Sequence, residues 1–234
     1  MKVLVINGSP RKDRASTGGI LSHFVEGMKE AKAEVDVIYS KDLDIGDCRG
    51  CFNCWMNTPG KCIQDDDMTE VLAKIADSDI LVLATPVYVD GMTGSLKSLL
   101  DRSIPQLHGR FELRDDHCRH PRREHVKAEK LALVSVSGFT EMDNFDPLIH
   151  HMKAISKNLG CEFVGSLLRP YAWMLDPAQE QGASVTDILE AIKQAGYELV
   201  SEGTMKEETL AAVARDLIPR DEVIKLMQGH FGDK

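Results

Sequence analysis

Short apolar runs that stop abruptly at polar, glycine-bearing turns recur along this chain and set its predicted elements. The first, Val3–Asn7, is apolar until Asn7 and ends at Gly8, the pattern of a strand buried on both faces. From Thr17 to about Lys32 the period changes: Ile20, Leu21, Phe24, Val25 and Met28 recur at helical spacing with charge on the other side. "AEVDVIYS" predicts a second strand, and "DILVLATPVY", "KLALVSVSG" and "CEFVGSLLRPYAW" a third, fourth and fifth. Helices are predicted over "DDMTEVLAKIADSD", "GSLKSLLDR", "FDPLIHHMKAISKNLG" and "SVTDILEAIKQAGYELVSEG". Asp67, three residues before Glu70, reads as a capping box.

Strands alternating with helices imply a parallel sheet covered on both faces. Five such units predict a doubly wound α/β domain with strand order 2-1-3-4-5. That domain is expected over residues 1–203. The remainder, 204–234, reads as two short helices broken at Pro219, with too little apolar surface for a core of its own.

Composition narrows the function classes. With 43% hydrophobic and 28% charged residues in 234, the chain can bury a core without disulfides or metal. A net charge of −9 argues against a nucleic-acid partner, which needs a basic face to displace counterions. No stretch approaches the roughly 20 apolar residues that cross a bilayer, and the N-terminus reads as a strand, not a leader. A cytoplasmic protein is expected, so the six cysteines should be thiols, metal ligands or redox groups.

Candidate chemistry lies in the turns. In an open α/β sheet, ligands bind beyond the carboxyl ends of the strands. "GSPRKDRAST" leaves the first strand there and enters a helix whose free N–H groups favour an anion. Ser9, Ser16 and Thr17 add hydroxyls and Arg11 or Arg14 adds charge, so a phosphate monoester is the natural occupant. The bland alternative is that these hydroxyls merely cap the helix. Neither G-x-x-x-x-G-K-[ST] nor G-x-G-x-x-G is present at this turn. Two further turns, "TPVYVDGMTGSLKSLLDR" and "VSVSGFTEMDNF", should converge on the same crevice. There Pro86, the aromatic face of Tyr88, and Gly91 and Gly94 suit a flat ligand, with Ser135, Ser137 and Gly138 opposite. Phosphate cradle and planar platform together describe a mononucleotide such as FMN.

"GSPRK…ST" and "TPVYVDGMTGSLKSLLDR" resemble the flavodoxin-like NAD(P)H-dependent FMN reductases, over about residues 1 to 200. The resemblance implies that Ser9, Arg11, Ser16 and Thr17 hold the FMN phosphate. It implies that Pro86, Val87, Tyr88, Gly91 and Met92 border the isoalloxazine, with Ser137 and Gly138 as a third wall. It also implies homodimers or homotetramers.

"CRGCFNCWMNTPGKC" places Cys48, Cys51 and Cys54 at C-x2-C-x2-C spacing, with Cys62 after a longer gap. Thiolates so spaced suit a [4Fe–4S] cluster. The pattern resembles the iron–sulfur flavoprotein branch of the same family, whose members pass single electrons between cluster and FMN. Plain flavin reductases keep a similar "CxGCxxCW…PGxC…DDM" loop without a cluster, there as packed or free thiols. Zinc and a redox C-x-x-C stay open as further readings. His117, Cys118, His120 and His125 invite a metal hypothesis, but Pro121 keeps the last two histidines off one helix face; a solvated loop or a lid fits better.

The expected function is an FMN-binding oxidoreductase that takes hydride from NAD(P)H and passes it to a small-molecule acceptor: a quinone, flavin, nitro or azo compound, or a metal ion. No catalytic side chain is required, because the flavin carries the chemistry. The alternatives are an iron–sulfur electron carrier with ferredoxin as partner, and a non-catalytic sensor of a phosphate ligand.

Overall fold

The computed structural model describes residues 1–180 and 184–231. In chain order its elements are β1 (Lys2–Asn7), α1 (Ser16–Glu30), β2 (Glu34–Tyr39), a single-turn α2 (Asn53–Met56), α3 (Met68–Asp77), β3 (Ile80–Pro86) and α4 (Gly94–Asp101). A small hairpin follows, β4 (Glu112–Arg114) and β5 (His117–Arg119), then β6 (Lys130–Val136), α5 (Asp146–Leu159) and β7 (Glu162–Arg169). The chain continues through α6 (Leu175–Glu180), α7 (Thr186–Ser201), α8 (Glu207–Ala214) and α9 (Arg220–Phe231).

The main sheet runs β2-β1-β3-β6-β7, all parallel, with Val5 opposite Val37 on one side and Val82 on the other. This is the expected 2-1-3-4-5 order, reversing direction at β1 and β3. Strands sealed on both faces explain the unbroken apolar runs in β1, β3 and β6. One face buries Val3, Val5 and Val82 against Phe24 and Met28 of α1 and Ile188 and Ile192 of α7. The other buries Leu4, Ile6 and Leu83 against Val71, Leu96 and Leu148 of α3, α4 and α5.

α1 and α7 cross at backbone contact. A Cβ on Gly27 would sit 1.8 Å from the Lys193 carbonyl oxygen, and one on Gly196 would sit 2.0 Å from that of Phe24. Two facing glycines therefore set the helix spacing. Gly196→Ala must push the pair apart and is expected to cost about 1–3 kcal/mol of overpacking, despite alanine's better helix propensity. Urea titration of the variant would measure it.

The C-terminal helices share the first core, in which Val213 and Val223 are buried. Arg169, fully buried at the end of β7, donates to the carbonyls of Val213 and Arg215 at 2.9 and 2.6 Å, closing the C-terminal end of α8. The Tyr171 hydroxyl donates to Asp216 and accepts from the Leu217 amide at 2.6 Å. Residues 213–217 thus brace the turn after β7.

Three local expectations change. Asp67 makes no capping box: its carboxylate accepts the Asp44 amide at 2.7 Å, while Asp66 accepts the Met68 amide at 3.2 Å and serves the helix start. The charged segment after α4 contains the β4–β5 hairpin, and the stretch after β7 forms α6. Neither had the apolar periodicity that marks an element from sequence.

Candidate functional site

β1 ends at the switch point, and Asn7 shapes the turn beyond it. Its side-chain Oδ1 accepts the Ser9 amide at 2.8 Å, turning the chain outward. Residues 12–14 then form a single 3-10 turn, knit by amide-to-carbonyl bonds from Lys12 to Ser9, Arg14 to Arg11 and Ala15 to Lys12. This loop folds back onto the first turn of α1 so closely that a Cβ on Gly18 would lie 2.4 Å from the Asp13 Cα. Glycine is required there for contact, not for its backbone angles.

The loop's charges are sorted. Lys12 pairs with Asp42, and the Tyr39 hydroxyl donates to Asp13 at 2.8 Å. The Asp13 carboxylate and burial together push the Tyr39 phenol up to about 12, burial being the larger cause. Arg11 makes no ion pair or side-chain hydrogen bond among the described residues. α1 begins at Ser16, and its N-cap Ala15 makes no side-chain capping bond. Ser16 and Thr17 therefore lie inside the first turn, not at the cap; the Gly18 and Gly19 amides donate to the Ala15 carbonyl, which leaves those of Ser16 and Thr17 open. The capping alternative for these hydroxyls does not hold.

The same rim receives the second turn. Tyr88 and Gly91 exchange both backbone bonds, at 2.9 and 3.1 Å, around Val89 and Asp90 with φ of +48° and +60°. This is the geometry of a two-residue type I′ turn, which normally takes Asn-Gly. A β-branched residue at positive φ is strained, and Val89 is fully exposed at its tip. The third turn is tied to the one after β7: Ser137 N–H donates to the Arg169 carbonyl, Tyr171 N–H to that of Phe139, and Trp173 Nε1 to that of Gly138 at 3.0 Å.

These turns enclose a cavity of about 170 Å³. Ser9, Arg11, Ser16 and Thr17 line one end; Pro86, Val87 and Tyr88 form one wall and Ser137 and Gly138 another. Ala15, Val136, Ala172 and Trp173 complete it. Gly91 stands behind Tyr88 in its turn, and the Met92 side chain is buried in the second core, so neither lines the cavity. Sequence alone leaves Trp173 between the flavin pocket and an oligomer contact; here it lines the cavity. The lining contains no carboxylate, although the chain carries 37 acidic residues. A cationic, hydroxyl-bearing end on an uncapped helix, beside a flat apolar slot, fits the phosphate and ring of a flavin mononucleotide.

A family model described as NADPH-dependent FMN reductase matches residues 1–143. The chain belongs to the NADPH-dependent FMN reductase family. Within it, an iron–sulfur flavoprotein of Archaeoglobus fulgidus is 39% identical over 115 residues, 49% of this chain and 55% of that one. The chain thus spans about half the length of the curated relative. An NAD(P)H:quinone oxidoreductase from Methanothermobacter marburgensis superposes with a TM-score of 0.63 at 18% identity, covering 85% of this chain and 96% of that one. An FMN-dependent NADH-azoreductase from Bacillus anthracis, solved with FMN, gives 0.61 at 18% identity over 86% of this chain and 99% of its own. Both share the fold.

The cysteine loop contributes no residue to the lining of this crevice. Arg102, its side chain 1% exposed, forms a two-pronged pair with Asp66 at 2.7 and 2.9 Å. It also donates to the Gly46 carbonyl at 2.6 Å and to Cys62 Sγ at 3.4 Å. Burial raises the Asp66 carboxyl, but Arg102 and the amides of Gly46 and Met68 outweigh it and hold it below the ordinary range. Cys54 is buried and pushed up, by burial first and then by the neighbouring thiols; exposed Cys51 is drawn down by hydrogen bonding to Asn53. Cys48, Cys51, Cys54 and Cys62 share a neighbourhood, the other three thiols all acting on Cys54; no three metal-ligating side chains form a metal-holding group among the described residues. The Arg102 guanidinium ties this loop to the end of α4 through Gly46, Cys62 and Asp66.

His120, of the histidine-rich segment, packs its ring at a tilt against Trp55 at 4.4 Å and Phe111 at 5.0 Å, and Trp55 in turn stacks on Phe52. The segment is thereby clipped to the cysteine loop.

Proposed function

We propose that this protein binds FMN in the crevice between the turns after β1, β3 and β6 and acts as an NAD(P)H-dependent oxidoreductase. The carrying observation is the acid-free lining around Arg11 and the uncapped start of α1 in a strongly acidic chain. Bound FMN would supply two-electron chemistry, accepting hydride from a nicotinamide and returning it to a small acceptor. The chain's own part is placement. Ser9, Arg11, Ser16, Thr17 and the first-turn amides would take the phosphate. Pro86–Tyr88 and Ser137–Gly138 would flank the ring, and the exposed Tyr88 side would leave one face open to a second planar molecule.

A quinone, azo compound or free flavin fits that open face equally, so the acceptor is assigned as a class: a small planar oxidant. The six free thiols suit a reducing, cytoplasmic setting. The iron–sulfur reading draws its support from the names of curated relatives and from the spacing of Cys48, Cys51, Cys54 and Cys62.

The test is purification followed by absorption spectroscopy and turnover. A yellow protein that oxidises NADPH or NADH with a quinone acceptor supports the proposal. A colourless protein that takes up no FMN on titration contradicts it, and iron with acid-labile sulfide in stoichiometric amount would favour the carrier reading.

A further inference from the structure

Beside the flavin crevice lies a larger cavity, of about 550 Å³, between the start of α1 and residues 172–179 together with Val185 and Leu189. The two share Arg11, Ala15, Ser16, Ala172 and Trp173, so Trp173 stands as a partition with one cavity on each side. The second cavity adds Arg14 and His23 from the α1 side and Asp176 from the α6 side.

The charges in this cavity are unevenly engaged. Asp13 also lines it, but its carboxylate is held by the Tyr39 hydroxyl through both oxygens. Arg14 makes no ion pair and no side-chain hydrogen bond among the described residues, although its neighbour Lys12 is paired with Asp42. Of the loop's cations, Arg11 faces the flavin crevice as well, whereas Arg14 lines only the outer cavity. The FMN phosphate therefore has its own cation, and a second one is left over next door.

A nicotinamide dinucleotide that delivers hydride at the flavin must put its adenylyl half somewhere beyond the crevice. That half is a flat aromatic base, a ribose and, in NADPH, a dianionic 2′-phosphate. We propose, resting on the oxidoreductase reading above, that the outer cavity seats the adenylyl end of NADPH and that Arg14 reads its 2′-phosphate. Trp173 offers its indole face to the base, and Asp176 accepts from a ribose hydroxyl. A guanidinium is suited to the ester because it meets phosphate oxygens in a two-pronged fashion. NADH offers Arg14 nothing comparable, so this residue sets nucleotide preference without touching the hydride.

The experiment uses FMN-loaded full-length protein with Arg14→Ala and Arg14→Lys, and two readouts. The first is the KM for NADPH and for NADH at saturating quinone. Arg14→Ala is expected to raise the NADPH KM by about tenfold or more, the loss of one charge-assisted contact, with kcat and the NADH KM little changed. Arg14→Lys should recover part of the difference. The second is calorimetric titration with adenosine 2′,5′-bisphosphate, which should bind the wild type, compete with NADPH, and bind Arg14→Ala far more weakly. An unchanged NADPH-to-NADH ratio, or no binding of the bisphosphate to wild type, overturns the assignment while leaving FMN retention and turnover intact. If the FMN-loaded protein binds the bisphosphate yet oxidises neither nucleotide, the oxidoreductase reading fails, and the NADPH assignment fails with it.

Discussion

Gly18→Ala is expected to weaken FMN binding by about a hundredfold while the sheet stays folded. The added methyl would lie 2.4 Å from the Asp13 Cα and 2.6 Å from the Lys12 carbonyl oxygen, both backbone atoms that cannot rotate away. The loop carrying Arg11 must lift from α1, and the phosphate then loses the equivalent of one charge-assisted contact, worth up to about 3 kcal/mol. Flavin fluorescence quenching gives the dissociation constant directly. Gly19→Ala, one residue on with open space around its Cβ, serves as the control and should bind FMN as the wild type does.

Asp66→Asn is expected to remove about 3 kcal/mol of stability, because it leaves Arg102 buried without its counter-charge. Urea unfolding would measure the loss, and the double replacement Asp66→Leu with Arg102→Met should recover much of it, since no buried charge then remains. The pH dependence has a definite sign. The folded carboxyl lies below its ordinary value, so its contribution is present above the unfolded pKa near 3.9 and is lost as pH falls through the folded one. Wild type should therefore lose stability on acidification more steeply than Asp66→Asn. Equal slopes would show that the pair does not govern the cysteine loop.

Much of this molecule was legible from its residues because its strands are buried on both faces. Runs such as "VLVI" and "ILVLA" have one reading in a parallel sheet, and the alternation with amphipathic helices dictated the order around β1. That Ser9, Arg11, Ser16 and Thr17 meet at one cavity was legible too, since it depends on where a strand stops and a helix begins. Other features depend on contacts distant in sequence. Asp67 sits at capping-box spacing, yet its carboxylate goes to Asp44, a competitor that spacing cannot reveal. Trp173 joins the crevice through the Gly138 carbonyl, 35 residues away. Met92, two residues from the strained turn, points into the core because α4 begins immediately after it. The cysteines showed a ligand-like spacing, but the Arg102 contact to Cys62, from the end of α4, could not be read from it.

If the turn after β1 is built for a phosphate monoester, the flavin is held chiefly through that group. Paired titrations of apo-protein with FMN and with riboflavin isolate its share, since the two ligands differ only there. FMN should bind at least about a hundredfold more tightly, with the advantage shrinking in Arg11→Ala. Equal affinities for the two flavins would show that the turn holds no phosphate.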